Sequence, residues 1–326
     1  MAINLLALEP HKVSRDLSGY ITYIYGEPKT GKTTLASQMN GALLLAFEKG
    51  YNAIPGIIAQ DITTWGELKQ VIRELKKAEV QEKFKSVVID TVDIAGALCE
   101  KYICSQNDVD SLTAIPYGQG WTKLKKEFEE AFRSITQLGY AVFFISHAKD
   151  KTFTRKDGTT YNQIIPTCAN TYNDIAKSMA DIYGYAEKYE DNGTAKVRLI
   201  LRSIDNSADT GCRFKYIQPE IDFNYQALVK ALNDAIDTEA QLTNNQFVTT
   251  EKNSAPIVIE YDYDSLMEKF SSMVGKLMND NMDFYAPRIT QIVERYLGKG
   301  KKVSDSTRDQ AEFIHLIVTD IENDLM

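Results

Sequence analysis

Tyr20-Ile21-Thr22-Tyr23-Ile24-Tyr25-Gly26-Glu27-Pro28-Lys29-Thr30-Gly31-Lys32-Thr33-Thr34-Leu35-Ala36-Ser37-Gln38-Met39 runs from a β-branched and aromatic stretch, through a glycine-framed turn, into a stretch that can be helical. Gly26 to Thr33 fits the phosphate-binding P-loop pattern, placed where that pattern must sit, between a strand and a helix. A turn of this kind lets successive backbone N–H groups converge on phosphate at a helix N-terminus. The reading therefore assigns Gly26, Glu27, Pro28, Lys29, Thr30, Gly31, Lys32, Thr33 and Thr34 to nucleotide binding. Lys32 is expected to reach the β and γ oxygens and the Thr33 hydroxyl to ligate Mg2+, so ATP and Mg2+ are the expected cofactors.

Outward from this turn the chain keeps a β-α-β rhythm. Ala42 to Phe47 reads as a buried strand, Leu68, Val71, Ile72 and Leu75 mark a helix, and Ser86 to Asp90 reads as a strand. A helix through Leu124, Phe128, Phe132, Ile135 and Leu138 and a strand at Tyr140 to Ser146 follow. Strands alternating with helices imply a mostly parallel sheet covered on both faces. Lys151 to Ile165 then alternates around Asp157-Gly158, and Ile182 to Ser203 reads as two strands joined by Asp191-Asn192-Gly193, so both are expected to be β-hairpins. A helix near Tyr225 to Ile236 closes this unit.

Polar composition marks 238–256 as a linker between a core at 1–237 and a charged, helical C-terminal region at 257–326, whose middle carries the basic turn Gly298-Lys299-Gly300-Lys301-Lys302. At 326 residues and 44% hydrophobic content the chain suffices for one sizeable core and a smaller unit. A net charge of -8 gives nothing global to attract nucleic acid or an anionic membrane, so any DNA contact must be local. The four cysteines show no metal-ligand spacing, as expected of a reducing cytoplasm, and the run Ile3 to Leu8 lacks the basic flank of a signal peptide.

Three strand ends are expected to supply the chemistry. Asp90, at the end of Val87-Val88-Ile89-Asp90, stands where a P-loop enzyme needs a carboxylate for Mg2+, and Thr91 follows it where many ATPases place a catalytic Glu. The water-activating acid must then come from elsewhere. Glu48, past the second strand, would lie on the same carboxyl edge of the sheet and is the expected base, with Asp93 as second candidate. Ser146 and His147 end the fourth strand, and either could sense the γ-phosphate.

Glu48, Ile89-Asp90-Thr91-Val92 without an adjacent Glu, and the polar end of strand four together resemble the RecA-like recombinase ATPase core. Gly26 to Ala36, Tyr117-Gly118-Gln119-Gly120-Trp121, Phe144 to Lys149 and the hairpin after them resemble, more narrowly, the phage-encoded RecA-like ATPases of the single-strand annealing (Sak) group. The resemblance runs from about Ser18 to Tyr216. It implies an α/β RecA-like P-loop core, β-hairpins after it and a homo-oligomer, ring or filament, whose active site a neighbouring subunit completes.

Arg202, Arg213 and Lys215 stand where such trans-acting fingers are implied. Tyr117, Lys149, Lys151, Phe153, Arg155, Lys156 and Tyr161 lie where the family binds single-stranded DNA, and basic residues interleaved with aromatics suit a backbone-tracking, base-stacking surface. His147 replaces the glutamine sensor of RecA, and the C-terminal region matches nothing in it. A recombination or single-strand-binding partner could dock on the acidic end, Asp320 to Asp324. A replication ATPase, such as a helicase loader or motor, and a nucleotide-gated interaction protein with little turnover are the competing readings. A GTPase lacks its Asn/Thr-Lys-x-Asp motif here, and the expected location is the cytoplasm, that of a bacterial host if the gene is a phage's.

Overall fold

The computed structural model describes residues 10–244, 247–251 and 261–326. In chain order the first unit contains β1 (Val13–Ser14), β2 (Thr22–Gly26), α1 (Lys32–Ser37), β3 (Ala42–Ala46), β4 (Ala59–Asp61), α2 (Trp65–Glu74), α3 (Ala78–Lys83), β5 (Ser86–Asp90) and α4 (Val92–Gln106). It continues with α5 (Gln119–Gln137), β6 (Ala141–Thr154), β7 (Thr160–Pro166), α6 (Asn170–Met179), β8 (Ile182–Asp191), β9 (Thr194–Ile200), β10 (Gly211–Cys212), β11 (Glu220–Asp222), α7 (Tyr225–Thr243) and β12 (Val248–Thr249). The second unit holds α8 (Tyr263–Leu297) and α9 (Ala311–Leu325).

The main sheet has the order β11-β9-β8-β2-β6-β5-β3-β4, with β10 against β8 and β7 against β6. From β8 to β4 the strands are parallel, as the alternation of strands and helices requires, and the hairpin strands β9, β7 and β10 are antiparallel to their partners. Parallel strands covered on both faces read as unbroken apolar runs. In β6 Phe143 enters the cluster with Ile24, Leu35 and Leu228, and the next residue, Phe144, enters the opposite one with Tyr23, Phe128 and Trp65. The β8–β9 turn takes positive φ at Asn192 and Gly193, the geometry that matches the twist of two-residue hairpins.

The sequence reading did not assign β4, α3, α6, β10 or β11, and three further elements differ from it. α4 gave no periodic signal because the face it buries, Val92, Ala95, Gly96, Cys99 and Ile103, is made largely of small residues, while the larger apolar Ile94 and Leu98 are only partly buried. β6 continues without interruption from the core into the hairpin, so the arm at Lys151 to Ile165 is an extension of the fourth strand. The linker expected at 238–256 is helical as far as Thr243 and ends at Asn244 in the left-handed region, since nothing in Thr238 to Leu242 breaks a helix that Leu228, Leu232 and Ile236 anchor. Val13 and Ser14 then pair with Val248 and Thr249. Residues 252–256 of that linker, 257–260 of the helical region and the Ile3 to Leu8 run lie outside the described residues.

The second unit packs Met273, Leu277, Ile289, Ile314, Ile317 and Ile321 into a separate core. α8 is broken at Asn281, whose φ and ψ are -154 and 91. Its acidic end is engaged internally: Asp320 accepts from Arg295 and Tyr296 at 2.8 and 2.7 Å, and Glu322 pairs with Lys269 at 2.7 Å. Among the described residues no helix is long and apolar enough to cross a membrane.

Gly96 on α4 shows how tightly the helical layer is fitted. A Cβ there would lie 2.3 Å from the Tyr172 ring, which is itself buried against Phe128. Gly96→Ala gains about 1 kcal/mol in helix propensity but overpacks a site where such insertions cost about 1–3 kcal/mol. We expect a net destabilisation of up to about 2 kcal/mol in chemical denaturation, and a raised midpoint would show that the ring can move aside.

Candidate active site

The phosphate end of the sheet is organised by strand order. β6 is inserted between β2 and β5, with Gly26 opposite His147 and Asp90 opposite Ile145. The P-loop, Asp90 and the end of strand four therefore share one edge, which is where ligands bind in open parallel sheets. Glu48 joins them because the Asp90 carbonyl accepts from the N–H groups of Phe47 at 2.8 Å and Glu48 at 3.3 Å.

Within the loop, Lys29 and Gly31 adopt positive φ, 65° and 89°, which turns the backbone into the first turn of α1. Gly26 has another reason to be glycine. A Cβ there would meet the Ala186 carbonyl oxygen at 2.7 Å, so close packing on β8 demands the residue, while its own carbonyl accepts from Lys32. Lys32 is 5% exposed, and its ammonium donates to the carbonyls of Gly26 and Glu27 at 2.8 and 2.7 Å. Burial lowers its pKa to about 8, against the pull of Asp90 and Glu48.

The Thr33 hydroxyl donates to Asp90 at 2.6 Å. Asp90 is 3% exposed, and burial raises its pKa despite that hydrogen bond and the nearby Lys32. A hydroxyl and a carboxylate short of positive charge form a hard oxygen pair, the donor chemistry that suits Mg2+. Glu48 and His147 meet at 3.4 Å between Oε1 and Nε2. This contact holds the Glu48 carboxyl below its ordinary range and raises His147.

A cleft of about 470 Å3 is lined by Pro28 to Thr34, Glu48, Gly50, Ala53, Ile54, Asp90, Ile145 and His147. It brings together all the expected nucleotide, metal and catalytic residues except Gly26 and Glu27, which lie behind it as the carbonyl acceptors of Lys32. Asp93 does not line it: its side chain is held by the Thr167 hydroxyl. Sequence reading missed Lys188, which donates from β8 to Glu27 Oε2 at 2.9 Å and to the Pro28 carbonyl at 3.1 Å. Nothing local in a hairpin strand marks a lysine that braces a loop distant in sequence.

The other expected residues lie apart from the cleft. Arg202 donates to the carbonyls of Cys212 and Phe214, and Arg213 pairs with Asp181 at 3.0 Å beside the start of β2. Both are thus engaged within their own chain, while Lys215 is exposed and lies over the Tyr216 ring. On the hairpin, Lys151, Phe153, Tyr161 and Arg155 form one continuous stack. Lys151 lies 4.9 Å from the Phe153 centroid, the two rings are 5.5 Å apart at 22°, and Arg155 is 4.6 Å from Tyr161. Lys156 is exposed at the tip, Lys149 donates to the Thr167 carbonyl at 3.1 Å, and Tyr117 is 97% exposed on a separate loop.

Comparison with known proteins adds a family. Residues 18–220 match the family described as AAA domain. The chain is 28% identical over 337 residues to the SPbeta prophage-derived uncharacterized protein YorG of Bacillus subtilis (strain 168), with 99% of each covered. Among solved structures it is similar to the flagellar accessory protein FlaH of Methanocaldococcus jannaschii, at 13% identity, 64% and 85% coverage and a TM-score of 0.34. It is also similar to the KaiC-like protein PH0186 of Pyrococcus horikoshii OT3, at 14% identity, 60% and 89% coverage and a TM-score of 0.35.

The Glu48–His147 contact has a defined pH window. Its Glu48 share is present above the ordinary 4.5 and lost as pH falls through the lowered folded value; its His147 share is present below 6.5 and lost as pH rises through the raised one. In the nucleotide-free protein, NMR of the three histidines should place the His147 midpoint above 6.5. Glu48→Gln should lower it, because Glu48 supplies the largest raising cause, burial and the Lys32 charge then act downward, and only the Asp93 charge still raises it. A wild-type midpoint below 6.5 would contradict the pairing.

Proposed function

The chain belongs to the AAA domain family, and from that premise we propose that it binds and hydrolyses ATP with Mg2+ and acts with single-stranded DNA in phage-type recombination or annealing. The observation that carries the ATPase half is the convergence of Lys32, Thr33, Asp90 and Glu48 on one cleft. In this reading Lys32 exchanges its loop carbonyls for phosphate oxygens, a charged partner that offsets its burial. Thr33 and Asp90 hold Mg2+, which supplies neutralisation of the charge that develops on the transferred phosphoryl group. Glu48 orients the attacking water and accepts its proton, and His147 holds the Glu48 carboxylate in place.

The DNA half is supported by the Lys151-Phe153-Tyr161-Arg155 stack, two facing rings with a cation at each end, on a hairpin whose first strand is continuous with His147. Unpaired bases stack on such faces and phosphates meet the flanking cations. The likeness to a prophage-derived protein over 99% of both chains supports a phage setting, in the cytoplasm of a bacterial host. A homo-oligomer, in which Lys215, Arg202 or Arg213 reaches a neighbour's γ-phosphate, belongs to the same reading. So does membership of the single-strand annealing group.

ATP turnover measured with and without single-stranded DNA tests both halves. Lys32→Ala should abolish hydrolysis, and Glu48→Gln should lower kcat by about 100-fold or more with nucleotide still bound. Lys151→Ala with Arg155→Ala should remove most of the DNA stimulation and flatten its salt dependence while leaving the basal rate. Absence of both DNA binding and stimulation in a homogeneous sample would refute the DNA half alone; hydrolysis unaffected by Glu48→Gln would refute the assigned base.

A further inference from the structure

Behind the cleft lies a small buried polar cluster that the roles above leave unused. Thr167, just past β7, connects its members: its N–H donates to the His147 carbonyl at 2.9 Å, and its hydroxyl donates to Asp93 Oδ1. The other carboxyl oxygen of Asp93, Oδ2, and His147 Nδ1 are buried with no hydrogen-bond partner among the described residues, as is the hydroxyl of Thr91, two residues before Asp93. Buried polar atoms are rarely left unpaired, and these comprise an anionic acceptor, a hydroxyl that can do either, and a ring nitrogen that can donate. The other ring nitrogen of His147 faces Glu48 at 3.4 Å. The Asp93 charge acts on His147 in the direction that favours a ring carrying both protons.

We propose that Asp93 is a positioning residue for the reaction: its Oδ2 takes the Nδ1–H of His147 through one bound water, shared with Thr91, and so aims Nε2–H at Glu48. A histidine donating from one nitrogen is oriented by what its other nitrogen meets, and a carboxylate is the usual partner for that task. The inference rests on the reading of Glu48 as the group that orients water. Asp93 itself touches neither nucleotide nor metal, since it does not line the cleft. Its role differs from that of a second base, which would need an oxygen facing the phosphates.

The test uses the full chain carrying Asp93→Asn, which removes the charge but keeps the shape, and Thr167→Val, which removes only the hydroxyl that anchors Asp93. Two readouts are taken: kcat, KM and nucleotide affinity for ATP, and the ring-nitrogen shifts of His147 in long-range 1H–15N spectra of the nucleotide-free protein. Asp93→Asn should lower kcat by about 10- to 50-fold with KM and affinity within about twofold, and move His147 Nδ1 away from its protonated shift. Combined with Glu48→Gln it should add little to the loss from that substitution alone, because both act along one route. Thr167→Val should do the same more weakly, and it carries the test if Asp93→Asn does not fold.

Unchanged ring-nitrogen shifts, or losses that multiply in the double variant, overturn the proposal. If the wild-type chain hydrolyses no ATP, the proposed function fails; the shifts still decide whether Asp93 governs His147.

Discussion

The pairing of β6 between β2 and β5 is the constraint on which the site depends. It sets Gly26 opposite His147 and Asp90 opposite Ile145, so residues from three distant parts of the chain reach one edge in fixed register. Register here is strongly specified, because Phe143 and Phe144 fill opposite hydrophobic clusters and a slip of one residue would exchange the faces of the whole strand. Glu48 is placed by the same network, through main-chain hydrogen bonds to the Asp90 carbonyl. The arrangement of Glu48, the Thr33–Asp90 pair and Lys32 is thus a property of backbone pairing more than of side-chain contacts.

That frame holds charges under tension. Lys32 and Asp90 are both nearly buried, and burial moves each pKa toward the neutral form, Lys32 down and Asp90 up. The lysine is satisfied by loop carbonyls and the aspartate by the Thr33 hydroxyl, neutral partners that a phosphate and a divalent cation would surpass. Ligands of opposite charge to these groups would relieve the cost of burying both. Away from it, an acidic chain with a net charge of -8 concentrates Lys151, Arg155 and Lys156 on one projecting hairpin, where aromatic rings separate the cations.

Much of this was legible from residue order. The P-loop lies where its flanking runs put it, Asp90 ends the expected strand, and Glu48 and His147 meet on the expected edge. What escaped has physical causes. A helix whose buried face is built largely of small residues, α4, shows no amphipathic period, and a polar stretch with adequate helix propensity, 238–243, extends a helix whose anchor lies earlier in sequence. Lys188 and Thr167 escaped because their partners, Glu27, Asp93 and His147, are brought to them by folding. Gly26 was assigned to phosphate binding, yet the atoms that exclude a side chain there belong to Ala186.

Local chemistry accounts for the class of this protein: a strand, a glycine turn with Lys32 and Thr33, and alternating apolar runs suffice for a parallel sheet with a phosphate cradle, because each depends on neighbours within a few residues. The partner of each acid does not follow from residue order, because it depends on which strands lie side by side. With β6 between the P-loop strand and the Asp90 strand, Glu48 faces a histidine, and a threonine from the end of a hairpin joins that histidine's carbonyl to Asp93. Such contacts join residues scores of positions apart, and chain folding alone brings them within hydrogen-bonding distance.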